Sequence, residues 1–446
     1  MPIDVDGILS ELHEKYENQT EFLQATDSFL FKIRDFLKEH EEFRDEGIIR
    51  RMVEPDRIID FRVSWVDSDN KERLNRGYRV QFNKALGVYK GGLRFHPSVN
   101  LSVFKFLAFE QTLKNSLTGF NLGGAKGGAD FNPRDYNDSD IMRFCQAFAS
   151  NFYFYTNYNT DVPAGDIGVG TKEIGYLAGY TDKLKNSFSG SYTGKVMELA
   201  GSHLRKEATG YGCLYFVAQM LKDLGRDPKG LTMNISGSGN VALYACEKAI
   251  EMGMKVRTLS DSGGVVVFED GITDKQLKWI KELKFEKRGR VSECTDKFDV
   301  EYHEGKKSWD IPCDIALPCA TENELLKEDA ETLISNDCLI VAEGANMPCT
   351  SEAVDLFLDN GVFYAPGKAS NAGGVSVSAL EMTQNQLRYS WEKSKVDSLL
   401  KKTMNEIYDR CKKYGGSSWD VPNLAKGANI GGFVRVYVAM RDQGVF

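Results

Sequence analysis

A chain of 446 residues with 42% apolar and 27% charged residues has ordinary globular composition, enough for two or three domains and for a core that needs no disulfide or metal. Lys and Arg number 56 against 64 Asp and Glu, a net charge of −8 with no basic block, which is a poor fit to general nucleic-acid or membrane-surface binding. Glycine is in excess, 42 residues beside only 11 prolines, so the surplus marks neither a collagen-like nor a Pro/Gly-rich disordered chain and asks for a local explanation.

The first residues are acidic and lack the apolar core of a secretion signal, and no apolar run approaches a membrane span. The nine scattered cysteines contain no Cys-x-x-Cys and read as reduced thiols, so a soluble cytoplasmic protein is expected. The five histidines fall at no ligand spacing, and a bound catalytic metal is not expected. Helical spacing over 8–40 (Ile8, Leu12, Phe29, Ile33, Phe36) predicts a packing helix. Strand alternation follows over 57–66 and 76–82, then a helix over 99–117 that is apolar on more than one side. From about residue 205 helices and strands alternate. A helix from Thr209 to Leu224 stops at Gly225. Strands at 231–236, 255–260, 313–318, 338–343 and 362–366 are interleaved with helices at 240–252, 273–284, 323–335 and 350–359. That order implies an α/β fold with a parallel, doubly wound sheet. Another amphipathic helix covers 391–411. The expected organisation is a substrate and assembly domain over 1–200 and a Rossmann-like domain over 201–375. Connecting helices would fill 376–419, and the segment from about 420 to 446 would pack back on the first domain.

Residues 231–242 read LTMNISGSGNVA. Gly237 permits a tight turn, Gly239 lets the backbone approach a pyrophosphate, and Ala242 lets the following helix pack closely; Ser238, Asn240 and Val241 complete the turn. The pattern follows an apolar strand, opens a helix and precedes a second strand ending in Asp261, which together point to a dinucleotide. An acid there grips ribose hydroxyls and argues for NAD. Ser262 could instead donate to a 2′-phosphate, with Lys284, Lys287 and Arg290, spaced by three, adding charge from one helix face; those three also fit a solvated face. The rule leaves NAD against NADP open.

In YKGGLRF (89–95) and GGAKGG (123–128) a lysine is flanked by glycines, which suits a tight anion or carbonyl site. Between them Phe104, Leu107, Gln111 and Lys114 share one helix stripe. Lys90, Lys114 and Lys126 meeting in one pocket would bind a dicarboxylate and depress one another's pKa. Asp166, in the Pro/Gly loop DVPAGDIGVG (161–170), is either turn chemistry or a proton shuttle paired with a lysine.

These segments, with EATGYG, EGANMP and NAGGVSVSALEMTQN in order, resemble the hexameric glutamate dehydrogenases of the Glu/Leu/Phe/Val dehydrogenase family, and most closely the small NADP-linked kind. The resemblance runs from about residue 50 to the end. It implies that Lys126 is the catalytic lysine and Asp166 the proton-exchanging acid. It implies that Lys90 and Ser378 hold the substrate's side-chain carboxylate, that Gln111, Lys114 and the loop at Gly165 meet the α-carboxylate and reacting centre, and that Arg205 lines the same cleft. Thr209, Asn240, Asn346 and Asn371 would contact the cofactor, and Ser262, Lys284, Lys287 and Arg290 would accommodate a 2′-phosphate, with Asp261 matching the acidic NADP-linked members. The implied reaction is reductive amination of 2-oxoglutarate with ammonium to L-glutamate by NADPH, in a homohexamer. The rivals are a branched-chain or aromatic amino-acid dehydrogenase and a non-catalytic dinucleotide-binding regulator. Under this reading the glycine surplus makes room for a dicarboxylate and a dinucleotide.

Overall fold

The computed structural model describes residues 3–418 and 421–445. Met1, Pro2, Trp419, Asp420 and Phe446, at the ends of the expected segments, lie outside them. The chain divides into two compact units: Met1–Arg205 with Val377–Val396 and Asn429–Phe446, and Lys206–Ser376 with Asp397–Ala428.

In the first unit, α1 (Val5–Lys15) and α2 (Thr20–Glu39) divide the single helix expected over 8–40. After α3 (Glu46–Met52) comes a five-stranded sheet of β1 (Arg57–Val66), β2 (Glu72–Asn83), β3 (Tyr89–Phe95), β4 (Gly124–Ala129) and β5 (Asp161–Gly165), in the order β1-β2-β4-β3-β5. β1, β2 and β4 pair antiparallel, whereas β3 runs parallel to both β4 and β5. Pro163 is tolerated because β5 is an edge strand. Helix α4 (Leu101–Leu117) packs on one face with α2, Phe29 meeting Phe109 edge to face at 5.2 Å. Helices α5 (Asp138–Phe152) and α6 (Thr171–Lys185) cover the other face. There the alternating Ile59, Val63 and Trp65 of β1 bury against Phe144, Phe148 and Leu177.

Both glycine–lysine motifs are therefore strands. Glycine is a weak strand former, and in a strand interior it marks close backbone approach. A Cβ on Gly91 would stand 1.6 Å from the Ala125 carbonyl oxygen, and one on Gly124 1.9 Å from Thr112 Oγ1. This corrects the reading of the surplus: these glycines let strands and α4 close up, and they do not make room for a ligand.

In the second unit, α7 (Ala208–Asp223) precedes a seven-stranded sheet. Its elements are β6 (Thr232–Ile235), α8 (Asn240–Glu251), β7 (Lys255–Asp261), β8 (Gly264–Val267), α9 (Asp274–Phe285), β9 (Glu301–Glu304), β10 (Ile315–Leu317), α10 (Lys327–Ser335), β11 (Ile340–Ala342), α11 (Ser351–Asp359), β12 (Phe363–Ala365) and the short α12 (Gly367–Ser370). The strand order is β12-β11-β10-β6-β7-β8-β9. The five strands from β12 to β7 are parallel, as expected for a doubly wound sheet, but β8 and β9 add an antiparallel edge. The hairpin from β7 to β8 turns at Ser262-Gly263, too short for a helical crossover.

Helix α13 (Gly373–Leu387) lies mostly in the first unit, α14 (Lys393–Gly415) mostly in the second, and α15 (Leu424–Gln443) ends in the first. Residues 376–419 therefore do not form a separate connecting unit. Near the C-terminus Arg435 donates to the carbonyls of Ser116, Gly119 and Phe120, holding α15 to the end of α4. Among the described residues no helix is long and apolar enough to cross a membrane.

Candidate active site

The substrate-side candidates all lie in the first unit. β3 carries Lys90 and lies between β4, which carries Lys126, and β5, which ends at Gly165 just before Asp166. Leu93 pairs with Gly127 on one side and with Gly165 on the other. A Cβ on Gly92 would stand 2.8 Å from Asp166 Cβ and 3.3 Å from Lys126 Nζ. The missing side chain is the gap across which Lys126 Nζ donates to Asp166 Oδ1 at 2.8 Å. Arg94, two residues on and so on the same face of β3, donates its Nε to Asp166 Oδ2 at 2.7 Å. One carboxylate thus holds two cations. Burial pushes Asp166 upward, but Lys126 and Arg94 outweigh it and keep the acid at about 2. Lys126 is lowered, by burial first and then by Arg94 and Arg79, against the pull of Asp166. The Pro/Gly loop is a tight turn, closed by the Val169 N–H on the Asp166 carbonyl at 2.9 Å.

The backbone under these groups is pinned. Arg79, fully buried in β2, forks onto Asp161 and donates to the carbonyls of Gly91 at 3.2 Å and Gly92 at 3.3 Å. Gln111 Nε2 donates to Asn115 Oδ1 at 2.7 Å, and Asn115 Nδ2 to the Lys90 carbonyl at 3.1 Å, so Gln111 reaches β3 through Asn115. Lys114 is half-buried in the last turn of α4.

Lys90 is buried and held well below its ordinary value by burial, then by Arg205 and Arg79, with Glu381 and Asp161 opposing. The expected mutual depression of lysines is thus corrected: the neighbouring cations are arginines. Arg205 is itself lowered by burial against the pull of Glu381. Glu381, one turn beyond Ser378 on α13, accepts from the Gly194 N–H at 2.9 Å and from Lys195 Nζ at 2.8 Å. Around it Ser378 Oγ, Thr193 Oγ1 and Arg205 Nε are buried with no hydrogen-bond partner among the described residues. Orphaned polar atoms gathered beside the buried Lys90 and the half-buried Arg205 are what a polyatomic anion would satisfy.

The cofactor candidates lie in the second unit. Gly237 has φ +80° and its N–H donates to Ser260 Oγ at 2.8 Å. Gly239 is the N-cap of α8 and makes no side-chain cap, and a Cβ built on it would meet nothing within 4 Å. The first N–H groups of α8 have no intrahelical partner, and beside them Gly239 leaves open space, so the turn fits a pyrophosphate. Ser238 is buried beneath it, and Thr209 is in the first turn of α7. Asp261 accepts from the Gly263 and Val291 N–H groups, both at 3.0 Å, with Lys284 Nζ at 3.6 Å and Arg290 Nη1 at 3.8 Å. Burial pushes Asp261 upward, but those two N–H groups and the two cations hold it below its ordinary value. Arg290 Nη1 also donates to Ser262 Oγ at 2.7 Å. Helix α9 stops at Phe285 and Arg288 has φ +56°, so Lys284, Lys287 and Arg290 do not share a helix face as their spacing suggested. A turn returns Arg290 to Asp261 and leaves Lys287 exposed. Asn371 Nδ2 donates to the Ala345 carbonyl at 2.8 Å and to Asn346 Oδ1 at 3.0 Å, which brings those two asparagines together. Among the described residues no cluster of His, Cys, Asp or Glu is arranged to hold a metal.

Residues 200–444 match the model for Glutamate/Leucine/Phenylalanine/Valine dehydrogenase, and residues 55–183 match the Glu/Leu/Phe/Val dehydrogenase dimerisation domain. The chain belongs to the Glu/Leu/Phe/Val dehydrogenase family. It is thus an NAD(P)-dependent amino-acid dehydrogenase. It is 50% identical over 441 residues to an NADP-specific glutamate dehydrogenase of Salmonella typhi, covering 99% of this chain and 98% of that one. It is 49% identical over 444 residues to an NAD-specific glutamate dehydrogenase of Bacteroides fragilis, covering 99% and 100%. A crystal structure of Plasmodium falciparum glutamate dehydrogenase superimposes with a TM-score of 0.96 at 46% identity, covering 99% of this chain and 95% of that one. For a member of this family, three residues at the site were not among those expected from the sequence: Arg94, Thr193 and Glu381. Arg94 stood inside the quoted YKGGLRF, but its role depends on strand register. Thr193 had only the following Gly194 to mark it, and Glu381 looked like one polar residue on an apolar helix.

Proposed function

We propose that the chain catalyses the reversible reductive amination of 2-oxoglutarate by ammonium to L-glutamate, with NADPH as the preferred donor, as a cytoplasmic homohexamer. The observation that carries the choice of substrate is the buried Lys90 and the half-buried Arg205, beside the orphaned hydroxyls of Ser378 and Thr193. A second carboxylate satisfies all four, whereas an aliphatic or aromatic side chain leaves the two hydroxyls and Arg205 Nε without a partner and the buried Lys90 facing an apolar group. That is also why a branched-chain or aromatic amino-acid dehydrogenase fits less well, and a non-catalytic regulator has no use for the Lys126–Asp166 pair.

Lys126 Nζ polarises the keto oxygen as ammonia adds to the carbon. Lys126 gives the keto oxygen its first proton, which makes it the hydroxyl of the carbinolamine. Asp166 takes a proton from the nitrogen and passes it to that hydroxyl, which leaves as water as the C=N bond forms in a protonated imine, and Lys126 regains its proton from solvent. Gln111 and Lys114, with the backbone at Gly165, meet the α-carboxylate. Gly237, Gly239 and the N-terminus of α8 hold the pyrophosphate, and Thr209, Asn240, Asn346 and Asn371 orient the cofactor. When bound, the reduced nicotinamide supplies the hydride for the imine carbon.

The NADP preference is supported by the environment of Asp261. Its oxygens are already occupied by two N–H groups and faced by Lys284 and Arg290, so the acid anchors cations instead of gripping ribose hydroxyls. Arg290, Ser262 and Lys284 then receive a 2′-phosphate, with Lys287 a peripheral charge. The assay is loss of NADPH absorbance, then of NADH, with ammonium and either 2-oxoglutarate or an aliphatic oxo acid. Turnover of the aliphatic acid in preference to 2-oxoglutarate refutes the substrate, and equal kcat/KM for NADH refutes the cofactor.

A further inference from the structure

Asp166 poses a difficulty for any mechanism in which it moves protons. Both of its oxygens are taken, Oδ1 by Lys126 and Oδ2 by Arg94, and a carboxylate engaged by two cations has little tendency to accept a proton. Lys126 must turn toward the keto oxygen to polarise it, and that movement frees Oδ1. What then happens to Asp166 depends on its other partner. The side chains of Asp166 and Arg94 are 17% and 14% exposed, so an unpaired carboxylate there would be driven toward its neutral form. A protonated Asp166 cannot take the proton from the incoming nitrogen.

We propose that Arg94 is the positioning residue of this reaction, holding Asp166 through Oδ2, anionic and correctly aimed, while Lys126 releases Oδ1 to serve the substrate. The proposal rests on the function given above. Three features of the fold carry it. Arg94 and Gly92 point to the same face of β3, so the strand presents an empty position and a cation side by side at the level of Asp166. Arg94 stands in register with Gly128, whose φ is +143° and where a Cβ would lie 1.8 Å from the Arg94 carbonyl oxygen. Its backbone is therefore fixed by close strand contact and its side chain has one direction in which to reach. Finally, arginine keeps its charge at any working pH, which lysine in a buried site does not. The two cations on Asp166 thus divide the work, one permanent and one that can leave.

The test compares Arg94→Gln and Arg94→Lys with the wild-type enzyme, following reductive amination of 2-oxoglutarate by NADPH across pH. Arg94→Gln is expected to lower kcat at least about tenfold. It should also move the acidic limb of the profile up by about one pH unit or more, because Asp166 without its permanent partner protonates at higher pH. Arg94→Lys, which is protonated at the low pH where that limb is read but lacks the fixed donor, should return the limb to its wild-type position with only part of kcat recovered. KM for NADPH should stay within about twofold in both. An acidic limb unmoved in Arg94→Gln, or moved equally in both variants, overturns the proposal. Should the glutamine variant not fold, Arg94→Lys decides alone. A reduced kcat with an unmoved limb supports the role, and a wild-type kcat or a displaced limb refutes it. The wild-type rate is read first: no turnover of 2-oxoglutarate refutes the function itself, whereas normal wild-type turnover with insensitive variants refutes only the part given to Arg94.

Discussion

Glycine pairs stand beside charged groups in both units, and they are there for opposite reasons. In β3, Gly91 and Gly92 are hemmed in by Ala125, Asp166 and Lys126; the absent side chains let parts of the protein touch. In the turn before α8, Gly239 faces nothing within 4 Å; the absent side chain leaves a surface open for something else. The β3 pair serves contact within the protein, whereas in the turn before α8 a Cβ on Gly237 would meet Ala320 at 3.2 Å and only Gly239 leaves open space. Composition cannot separate the two, because both register only as glycine.

Five experiments break or sharpen that contrast, from the largest expected effect to the smallest. Lys126→Ala should lower kcat at least about a thousandfold, with NADPH affinity by fluorescence titration unchanged; near-normal turnover removes Lys126 from the chemistry. Lys90→Leu should shift kcat/KM away from 2-oxoglutarate toward apolar oxo acids by about a hundredfold or more, since one partner of a buried ionic contact is lost; an unchanged preference removes Lys90 from the second carboxylate. Arg290→Ala should raise KM for NADPH about tenfold while KM for NADH moves little; equal effects on both cofactors remove it from the 2′-phosphate. Gly92→Ala should lower kcat about tenfold by displacing Asp166, while Gly239→Ala should leave kcat and substrate KM alone and raise KM for NADPH; similar profiles for the two variants erase the distinction drawn above.

The smallest effect concerns stability. Lys105 of α4 is fully buried, its Nζ 3.1 Å from the Tyr16 ring centroid and 3.9 Å from that of Phe22, with no hydrogen-bond partner among the described residues. Burial pushes it down to about 7, with Glu54 pulling the other way and Lys15 adding to the fall. The unfolded chain, with an ordinary lysine near 10.4, then binds more protons across that window, so Lys105 makes stability rise with pH between about 7 and 10. Lys105→Met should flatten that slope and leave Tm at pH 6 unchanged or raised by about 2 °C; a lowered Tm at pH 6 shows that the two aromatic faces stabilise the cation more than burial disfavours it.

Much of the second unit was legible in the residues. Apolar strands buried on both faces and helices with clear starts are local signals, and Gly225, with φ +64°, ends α7 where a stop was expected. The antiparallel edge formed by β8 and β9 was not legible, since four-residue strands carry too little periodicity. In the first unit β3, β4 and β5 were hidden behind their glycines and proline, which argue against strands unless neighbouring backbones come close enough to require them.

By themselves, the residues determined the alternating half of the fold and the dinucleotide turn, because short-range pattern is enough for those; they offered Asp166 a lysine partner without fixing which one, and the resemblance named Lys126. Only the tertiary structure decided that Arg94 shares Asp166, that Asp261 anchors cations, that arginines rather than lysines lower Lys90, and that most of the surplus glycines serve packing. Each of these depends on which strands and turns lie side by side, and register between segments distant in sequence leaves no local periodicity to read.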